Sequence, residues 1–327
     1  MKKLLFLLAL AAAAALPTHT AHAQTQNPAW PNKPIKWVLS QPAGSSPDVI
    51  ARYVGEHLAR ALGQPIVIEN RPGGQNVIGA QAAAKSAPDG YTFYYGTTAA
   101  MVTNVYTFKN LPYDPKKDFT PVAMVGVSPF LIAASPSANI KSLADALAQA
   151  RAQPDKLAMG TEGPKTFSGM LADMVASLGN VKITHVPYQK SAEAIQDAIG
   201  GRVQLLVLPS AALMPQINAN RIVPLAISSS ARLPGLPNTP PISDTFSGFE
   251  YTGWHALFAP AGTPAEAVTR INRELDRILR TPEVVERMLA MGSIAEGTGT
   301  PQAVGSFVNA EFVRWDKIVK SLNIQAE

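Results

Sequence analysis

The sequence predicts an α/β protein with two lobes and mainly parallel strands. Apolar strand-like runs alternate with amphipathic helix-like segments along most of the chain, a pattern typical of parallel sheets covered by helices. The chain has 327 residues, which is long for one hydrophobic core and comfortable for two. Two long apolar runs, 121–134 and 251–258, are suited to carry the chain from one lobe to the other and back.

The N-terminal residues 1–23 are typical of a secretory signal peptide. Lys2 and Lys3 precede an apolar run over 4–16, and Ala21-His22-Ala23 places small residues where a signal peptidase reads. The apolar run is too short for an ordinary membrane span, and no later segment approaches the roughly 18 to 20 apolar residues that a span requires. We therefore expect cleavage near Ala23 and an exported chain.

The first part of the mature chain alternates regularly between strands and helices. In the first helix, apolar residues recur at three- and four-residue spacings until Gly63 ends it. Strands are predicted at 35–39, 66–70 and 92–95, and helices at 47–62, 77–85 and 101–108. The run 121–134, which contains Gly126 and Pro129, then follows as the first crossing.

The second part continues the alternation until a Pro-rich connection at 231–247 precedes the return crossing. Strands are predicted at 156–159, 183–186, 203–208 and 222–227, and helices at 143–152, at 192–199, in a segment ending at 178, and at 266–279, 282–291 and 303–322. One domain is thus predicted to comprise 24–124 and 251–327, and the other 125–250.

Composition and motifs argue against several functional classes. The chain has no Cys, so it has no disulfides or thiolate chemistry. The formal charge falls from +5 to +3 when Lys2 and Lys3 are removed, and no long Lys or Arg run remains, which argues against nucleic acid as a partner. Walker, Rossmann, zinc-protease and hydrolase motifs are all missing, and His57, His185 and His255 lack the spacing of metal ligands. We therefore predict no catalysis, no cofactor and no metal site.

The positive signal is a recurring kind of loop, best seen at 40–48. There a strand ends in small residues and a helix begins, which leaves backbone N–H groups and the positive end of a helix dipole facing one spot. The alternative is a tight turn in which Ser46 only caps the helix. Similar loops at 96–100 and 160–168 favour donors gathered around a carboxylate. Lys165 is a candidate charge contact, and the role of Glu162 stays open.

Several short motifs occur in the order found in one known family. They are Pro42-Ala43-Gly44 with Asp48, Ile68-Glu69-Asn70-Arg71-Pro72-Gly73, Ala87-Pro88-Asp89-Gly90-Tyr91-Thr92, Leu111-Pro112-Tyr113-Asp114, His185-Val186-Pro187-Tyr188 and Leu257-Phe258-Ala259-Pro260-Ala261-Gly262-Thr263-Pro264. Over essentially the whole mature chain, the sequence resembles the Bug family, the periplasmic solute-binding proteins of tripartite tricarboxylate transporters.

The resemblance implies a two-lobed periplasmic binding fold of type II, in which two crossover strands form the hinge. It implies a monomer that binds an organic acid in the cleft, such as a di- or tricarboxylate or an aromatic acid, and delivers it to membrane permease subunits. An alternative is a ligand-sensing protein that signals to a membrane sensor kinase.

The resemblance also transfers site residues. The first loop looks like the main carboxylate holder, with Asp48 supporting the helix start. Together with Lys165 and Leu208, which are singled out by their positions in this sequence, the candidate ligand-binding residues are Ala43, Gly44, Ser45, Ser46, Asp48, Thr97, Thr98, Gly163, Lys165, Thr166, Ser168, Tyr188 and Leu208.

Two departures from the family pattern bear on the ligand. Pro164, Lys165 and Phe167 interrupt what is usually a Gly-Ser-Thr-Ser-His type of run. Where relatives often carry acidic residues, this chain has Val203-Gln204 and then Leu208, which makes amino acids less favoured ligands. An apolar surface at Leu208 would favour a carboxylate with an apolar or aromatic body.

Overall fold

A computed structural model of the protein describes residues 30–249, 251–295 and 297–326. The predicted signal peptide lies outside these residues. The predicted fold class is confirmed, since two five-stranded sheets with interleaved helices form two lobes. Among the described residues, no helix is both long and apolar enough to cross a membrane.

The first lobe takes its strands from both ends of the chain. Its elements are β1 (Ile35–Leu39), α1 (Ser46–Leu62), β2 (Ile66–Asn70), α2 (Val77–Ala84), β3 (Thr92–Thr97), a π-helical turn (Ala99–Thr103), α3 (Asn104–Thr107), β4 (Phe119–Ser128), β10 (Gly253–Pro260), α8 (Ala265–Leu279), α9 (Pro282–Ala290) and α10 (Pro301–Ser321).

The second lobe is formed by the middle of the chain. Its elements are β5 (Phe130–Ala134), α4 (Leu143–Ala152), β6 (Ala158–Thr161), α5 (Phe167–Leu178), β7 (Thr184–Pro187), α6 (Ser191–Ile199), β8 (Leu205–Pro209), α7 (Ser210–Asn218) and β9 (Val223–Ile227). The exact domain boundaries given above stay a prediction.

Both sheets are mixed, whereas the alternation of strands and helices predicted mainly parallel strands. The first sheet has the order β2-β1-β3-β10-β4 and the second the order β7-β6-β8-β5-β9. Strand β10 is antiparallel to β3 and β4, and β5 is antiparallel to β8 and β9. Strands β5 and β10 lie where the chain crosses between the lobes. Each enters its sheet without the helical crossover connection that a parallel strand needs.

The predicted first crossing is two strands in two different sheets. Strand β4 belongs to the first sheet and β5 to the second, and Pro129 separates them. Proline lacks the N–H that a continuous ladder needs, which accounts for the break at this position. The Pro129 carbonyl accepts a hydrogen bond from the Ser210 N–H at 2.8 Å, so the connection is tied to the start of α7.

The core of the first lobe fixes where α1 begins. Ile50, Val54 and Leu58, at helical spacing, are at most 1 % exposed and share a core with Trp37 and Leu39 of β1. Each buried side chain of this size contributes roughly 1.5–3 kcal/mol. This packing holds the N-terminus of α1 at the carboxyl end of β1, where the loop predicted to bind an anion lies.

The two lobes also meet through the C-terminal helix and at the start of α7. Trp315 of α10 is 1 % exposed, and its ring centroid lies 5.7 Å from that of Phe167 in α5 and 6.3 Å from that of Tyr251. The Ser210 hydroxyl donates to the Gly292 carbonyl at 2.7 Å. Side chains far apart in the sequence therefore position the second lobe against the first.

Candidate functional site

The first loop connects β1 to α1, as predicted. Ser45 is the residue that precedes the helix, and its side chain makes no capping hydrogen bond. The Val49 N–H begins the helical pattern by donating to the Ser45 carbonyl at 3.0 Å. The N–H groups of Ser46 and Asp48 lie before this first helical bond, so they have no acceptor within the helix. Pro47 has no N–H. The loop thus presents backbone donors at the positive end of a 17-residue helix.

Asp48 supports the loop from behind. The residue is 2 % exposed, and its carboxylate accepts hydrogen bonds from the Gly44 N–H at 2.9 Å, Arg52 Nε at 3.0 Å and Asn70 Nδ2 at 2.8 Å. Burial would raise the pKa of Asp48, but the hydrogen bonds from Arg52, Gly44 and Asn70 outweigh it, so this pKa lies below its ordinary value. Because Arg52 compensates the carboxylate, Asp48 shapes the loop without making it repel an anion.

The hydroxyls of Ser45 and Ser46 are the most informative groups of this loop. Both Oγ atoms are enclosed, and neither has a hydrogen-bond partner among the described residues. Enclosed polar atoms are nearly always paired, because leaving one unpaired costs about 1–3 kcal/mol. Two adjacent unpaired hydroxyls beside free helical N–H groups are what a site for an acceptor such as a carboxylate oxygen requires. The alternative, in which the serine only caps the helix, does not account for these unused hydroxyls.

Gln41 joins the first loop to its neighbours, a role that sequence reasoning missed. Its amide nitrogen lies 3.0 Å from Asn76 Oδ1 at the start of α2 and 3.5 Å from Thr97 Oγ1 at the end of β3. Thr97 is therefore next to the first loop, as the carboxyl ends of parallel strands should be. Thr98 differs, since it is 2 % exposed and its hydroxyl accepts the N–H of Trp254 at 3.0 Å. This hydrogen bond joins β10 to the residue that follows β3.

The second-lobe loop uses its hydroxyls internally. Thr166 donates to the Gly163 carbonyl at 2.7 Å and accepts the Gly169 N–H at 3.3 Å, so it caps α5. Ser168 is fully buried, accepts the Glu162 N–H at 3.1 Å and donates to the Val207 carbonyl. These two side chains shape the loop, and the first lobe keeps the unpaired hydroxyls.

Lys165 reaches toward the first lobe. Its Nζ lies 5.6 Å from the ring centroid of Phe108, just after α3. This cation–π contact spans the two lobes next to the predicted site.

Tyr188 and Leu208 both make contacts within the second lobe. The Tyr188 hydroxyl donates to Asp197 Oδ2 at 2.7 Å, and burial together with this bond raises the pKa of Tyr188 to about 12. Leu208 is fully buried in the second-lobe core, where it pairs with Leu131 of β5. A contact between Leu208 and a ligand therefore stays a prediction, and in this structure the side chain packs within the second-lobe core.

Glu162 lies at the same edge of the second sheet. It directly follows β6, and its Oε1 accepts the hydroxyl of Ser191, the first residue of α6, at 2.7 Å. The carboxylate therefore links the loops that follow two adjacent parallel strands. Within the described part of the chain, no group of three His, Cys, Asp or Glu residues is placed to hold a metal ion.

Two curated relatives are similar over nearly their whole length. A UPF0065 protein of Bordetella bronchiseptica is 34% identical over 311 residues, which cover 95% of this chain and 91% of the relative. Protein BugT of Bordetella pertussis is 31% identical over 293 residues, which cover 89% and 90%.

Solved structures of binding proteins share the fold. Rpa4515 of Rhodopseudomonas palustris, solved with adipate, superposes with a TM-score of 0.87 at 33% identity and covers 91% of this chain and 100% of its own. MatC of the same organism, with bound malate, has a TM-score of 0.81 at 29% identity and covers 89% and 100%.

The family model described as the tripartite tricarboxylate transporter family receptor matches residues 50–324. This span includes both sheets except β1 and runs through α10. Together with the relatives and the shared two-lobed fold, it shows that the chain belongs to the tripartite tricarboxylate transporter receptor family, which includes the Bug proteins.

Proposed function

We propose that the protein is a periplasmic solute-binding protein that captures a small organic carboxylate between its lobes and delivers it to the permease of a tripartite tricarboxylate transporter. Capture involves no chemistry. The carboxylate accepts hydrogen bonds from Ser45 and Ser46 and from the first-turn N–H groups of α1, and the second-lobe loop at 162–168 covers it.

The enclosed hydroxyls of Ser45 and Ser46, which lack a partner among the described residues, carry this proposal. A carboxylate oxygen would satisfy both, and the dipole of α1 favours its charge. The adipate and malate bound by Rpa4515 and MatC support the same ligand class. Export to the periplasm is supported by the features of residues 1–23 and by the periplasmic relatives.

A thermal-shift screen tests the proposal. The purified mature protein is heated with di-, tri- and aromatic carboxylates, with the amides of the same acids as controls. A carboxylate that binds only the native state stabilises it by about 2.7 kcal/mol at a hundred times its Kd, so Tm rises with ligand concentration. The proposal fails if no carboxylate raises Tm or if the amides raise it equally.

A further inference from the structure

Glu162 differs from the acidic residue of the first loop in having no compensating cation within the described part of the chain. Asp48 is paired with Arg52 at 3.0 Å. Among the described residues, no Lys or Arg nitrogen lies within 4.0 Å of the Glu162 carboxylate, whose Oε1 accepts a hydrogen bond from the Ser191 hydroxyl. The acidic residues of α6 itself do have cations, as Asp197 has Arg202 and Glu193 has Lys190.

The position of Glu162 is set by the loop around it. Its N–H donates to the Ser168 hydroxyl, which in turn donates to the Val207 carbonyl in β8. Its Oε1 is held by Ser191 at the N-terminus of α6, where a helix dipole favours negative charge. Glu162 is partly buried, and burial raises the pKa of its carboxyl. Ser191 donates to Oε1, whereas Oε2 has no hydrogen-bond partner among the described residues.

We propose that Glu162 discriminates between ligands by the group at their far end, the end opposite the carboxylate held by the first lobe. Glu162 accepts a hydrogen bond from a hydroxyl or ammonium group there and disfavours a second carboxylate. This inference rests on the proposed function, in which the first lobe holds one carboxylate. The second end of a short ligand then meets the second-lobe loop, where Glu162 presents an acceptor and a negative charge. Like charges brought together in a water-poor site repel each other, whereas a donor is attracted.

A purely structural role is the competing explanation, because Glu162 also tethers the start of α6 through Ser191. Loss of that tether would lower stability, and it would weaken all ligands alike. The ratio of affinities for ligands that differ only at the far end separates the two roles.

The test uses calorimetry with short straight-chain acids in three series: α,ω-dicarboxylates, ω-hydroxy acids and ω-amino acids matched in length. Titrations are made at about pH 8, because burial raises the pKa of Glu162 above the ordinary value of a Glu side chain and the test needs the charged form. The wild type is compared with Glu162→Gln, which keeps the shape and removes the charge. Glu193→Gln is the matched control, since Glu193 lies in the first turn of α6 with a side chain that is 56% exposed.

We expect the wild type to bind its best ω-hydroxy or ω-amino acid about tenfold or more tightly than the dicarboxylate of the same length. Glu162→Gln should shift that ratio toward the dicarboxylate by about tenfold or more, and Glu193→Gln should leave it unchanged. A smaller shift in Glu162→Gln, or a wild-type preference for the dicarboxylate, overturns the inference while the proposed function stands. If none of these acids and none of the screened carboxylates binds the wild type, the proposed function itself fails.

Discussion

Hydroxyl residues in the two candidate site loops differ in their hydrogen bonds. In the first lobe, Ser45 and Ser46 keep enclosed hydroxyls without partners among the described residues. In the second lobe, Thr166 and Ser168 use theirs to cap α5 and to anchor the loop. A serine or threonine at a strand–helix junction thus carries a similar sequence signal whether it serves a ligand or the fold.

Ser46→Ala should weaken carboxylate binding about tenfold or more, since a hydrogen bond to a charged group contributes about 1.5–3 kcal/mol. Stability should not fall, because the hydroxyl has no partner to lose within the described chain. Calorimetric titration and urea denaturation measure the two effects. Ser86→Ala, which removes a hydroxyl at the far end of α2, is the control. Equal affinities of wild type and Ser46→Ala would remove Ser46 from the site.

Asp48→Asn should destabilise the protein by about 1–3 kcal/mol at neutral pH, because it removes charge-assisted hydrogen bonds from Gly44, Arg52 and Asn70. The folded-state pKa of Asp48 lies below the ordinary value of 3.8, so its stabilising contribution is present above that pH and is lost as pH falls through the folded pKa. The stability gap between wild type and variant should therefore narrow in acid.

Urea denaturation at about pH 7 and about pH 3 measures this gap. Asp316→Asn, which breaks an exposed ion pair with Lys320, should cost little at either pH. A gap for Asp48→Asn that is the same at both pH values would contradict the role given to this carboxylate.

At the scale of elements, the repeating unit is a strand, a polar loop and a helix, and this unit was predictable. Apolar runs bounded by turns located β1 and β2 without error, and helical spacing located α1 to within one residue. Helix α7 was missed because Pro209 and the internal Pro215 make its sequence resemble a turn. The antiparallel direction of β5 and β10 was not predicted, because partner choice depends on tertiary packing rather than on local pattern.

Within the candidate site, sequence reasoning located the loops better than the roles of their side chains. The small residues at 40–48 predicted a helix N-terminus that the structure places at the sheet edge. The use of the Tyr188 hydroxyl by Asp197 and the burial of Leu208 depend on contacts that no local pattern encodes. Gln41 carried no motif of its own and was recognisable only from its contacts with Asn76 and Thr97.

Helix α10 is an element whose effect extends to the other lobe. Trp315→Ala should lower the free energy of unfolding by about 3–5 kcal/mol, since it empties a buried position between Phe167 and Tyr251. Val313→Ala on the same helix is the control, because that side chain is 62% exposed. Urea denaturation of both variants tests the prediction. If the two substitutions cost the same, Trp315 does not support the contact between the lobes.

At the scale of the whole molecule, ligand capture requires two lobes whose relative position responds to the ligand. A ligand favours the closed arrangement only through contacts that the open one lacks. The chain crosses between the sheets near Pro129 and returns before β10, and Ser210 meets Gly292 beside the first crossing. At this junction a shift of the second lobe changes contacts with the first lobe.

Gly292→Ala tests that junction. An added Cβ at Gly292 would lie 2.6 Å from the Ala211 nitrogen, so the second lobe has to shift. Gly248→Ala is a matched control, because its φ of +76° is close to the +75° of Gly292 and a Cβ there meets nothing within 4 Å. Gly292→Ala should be less stable than the control by about 1–3 kcal/mol in urea denaturation, and its carboxylate affinity should change as well. Equal effects of both substitutions would contradict tight contact at the junction.

A crystal structure of the protein with the tightest-binding carboxylate from the screen tests the central claim most directly. The account predicts a carboxylate group between the lobes, with an oxygen within hydrogen-bonding distance of the Ser45 or Ser46 hydroxyl and of an N–H in the first turn of α1. A carboxylate bound elsewhere, with both serine hydroxyls still unpaired, would contradict it.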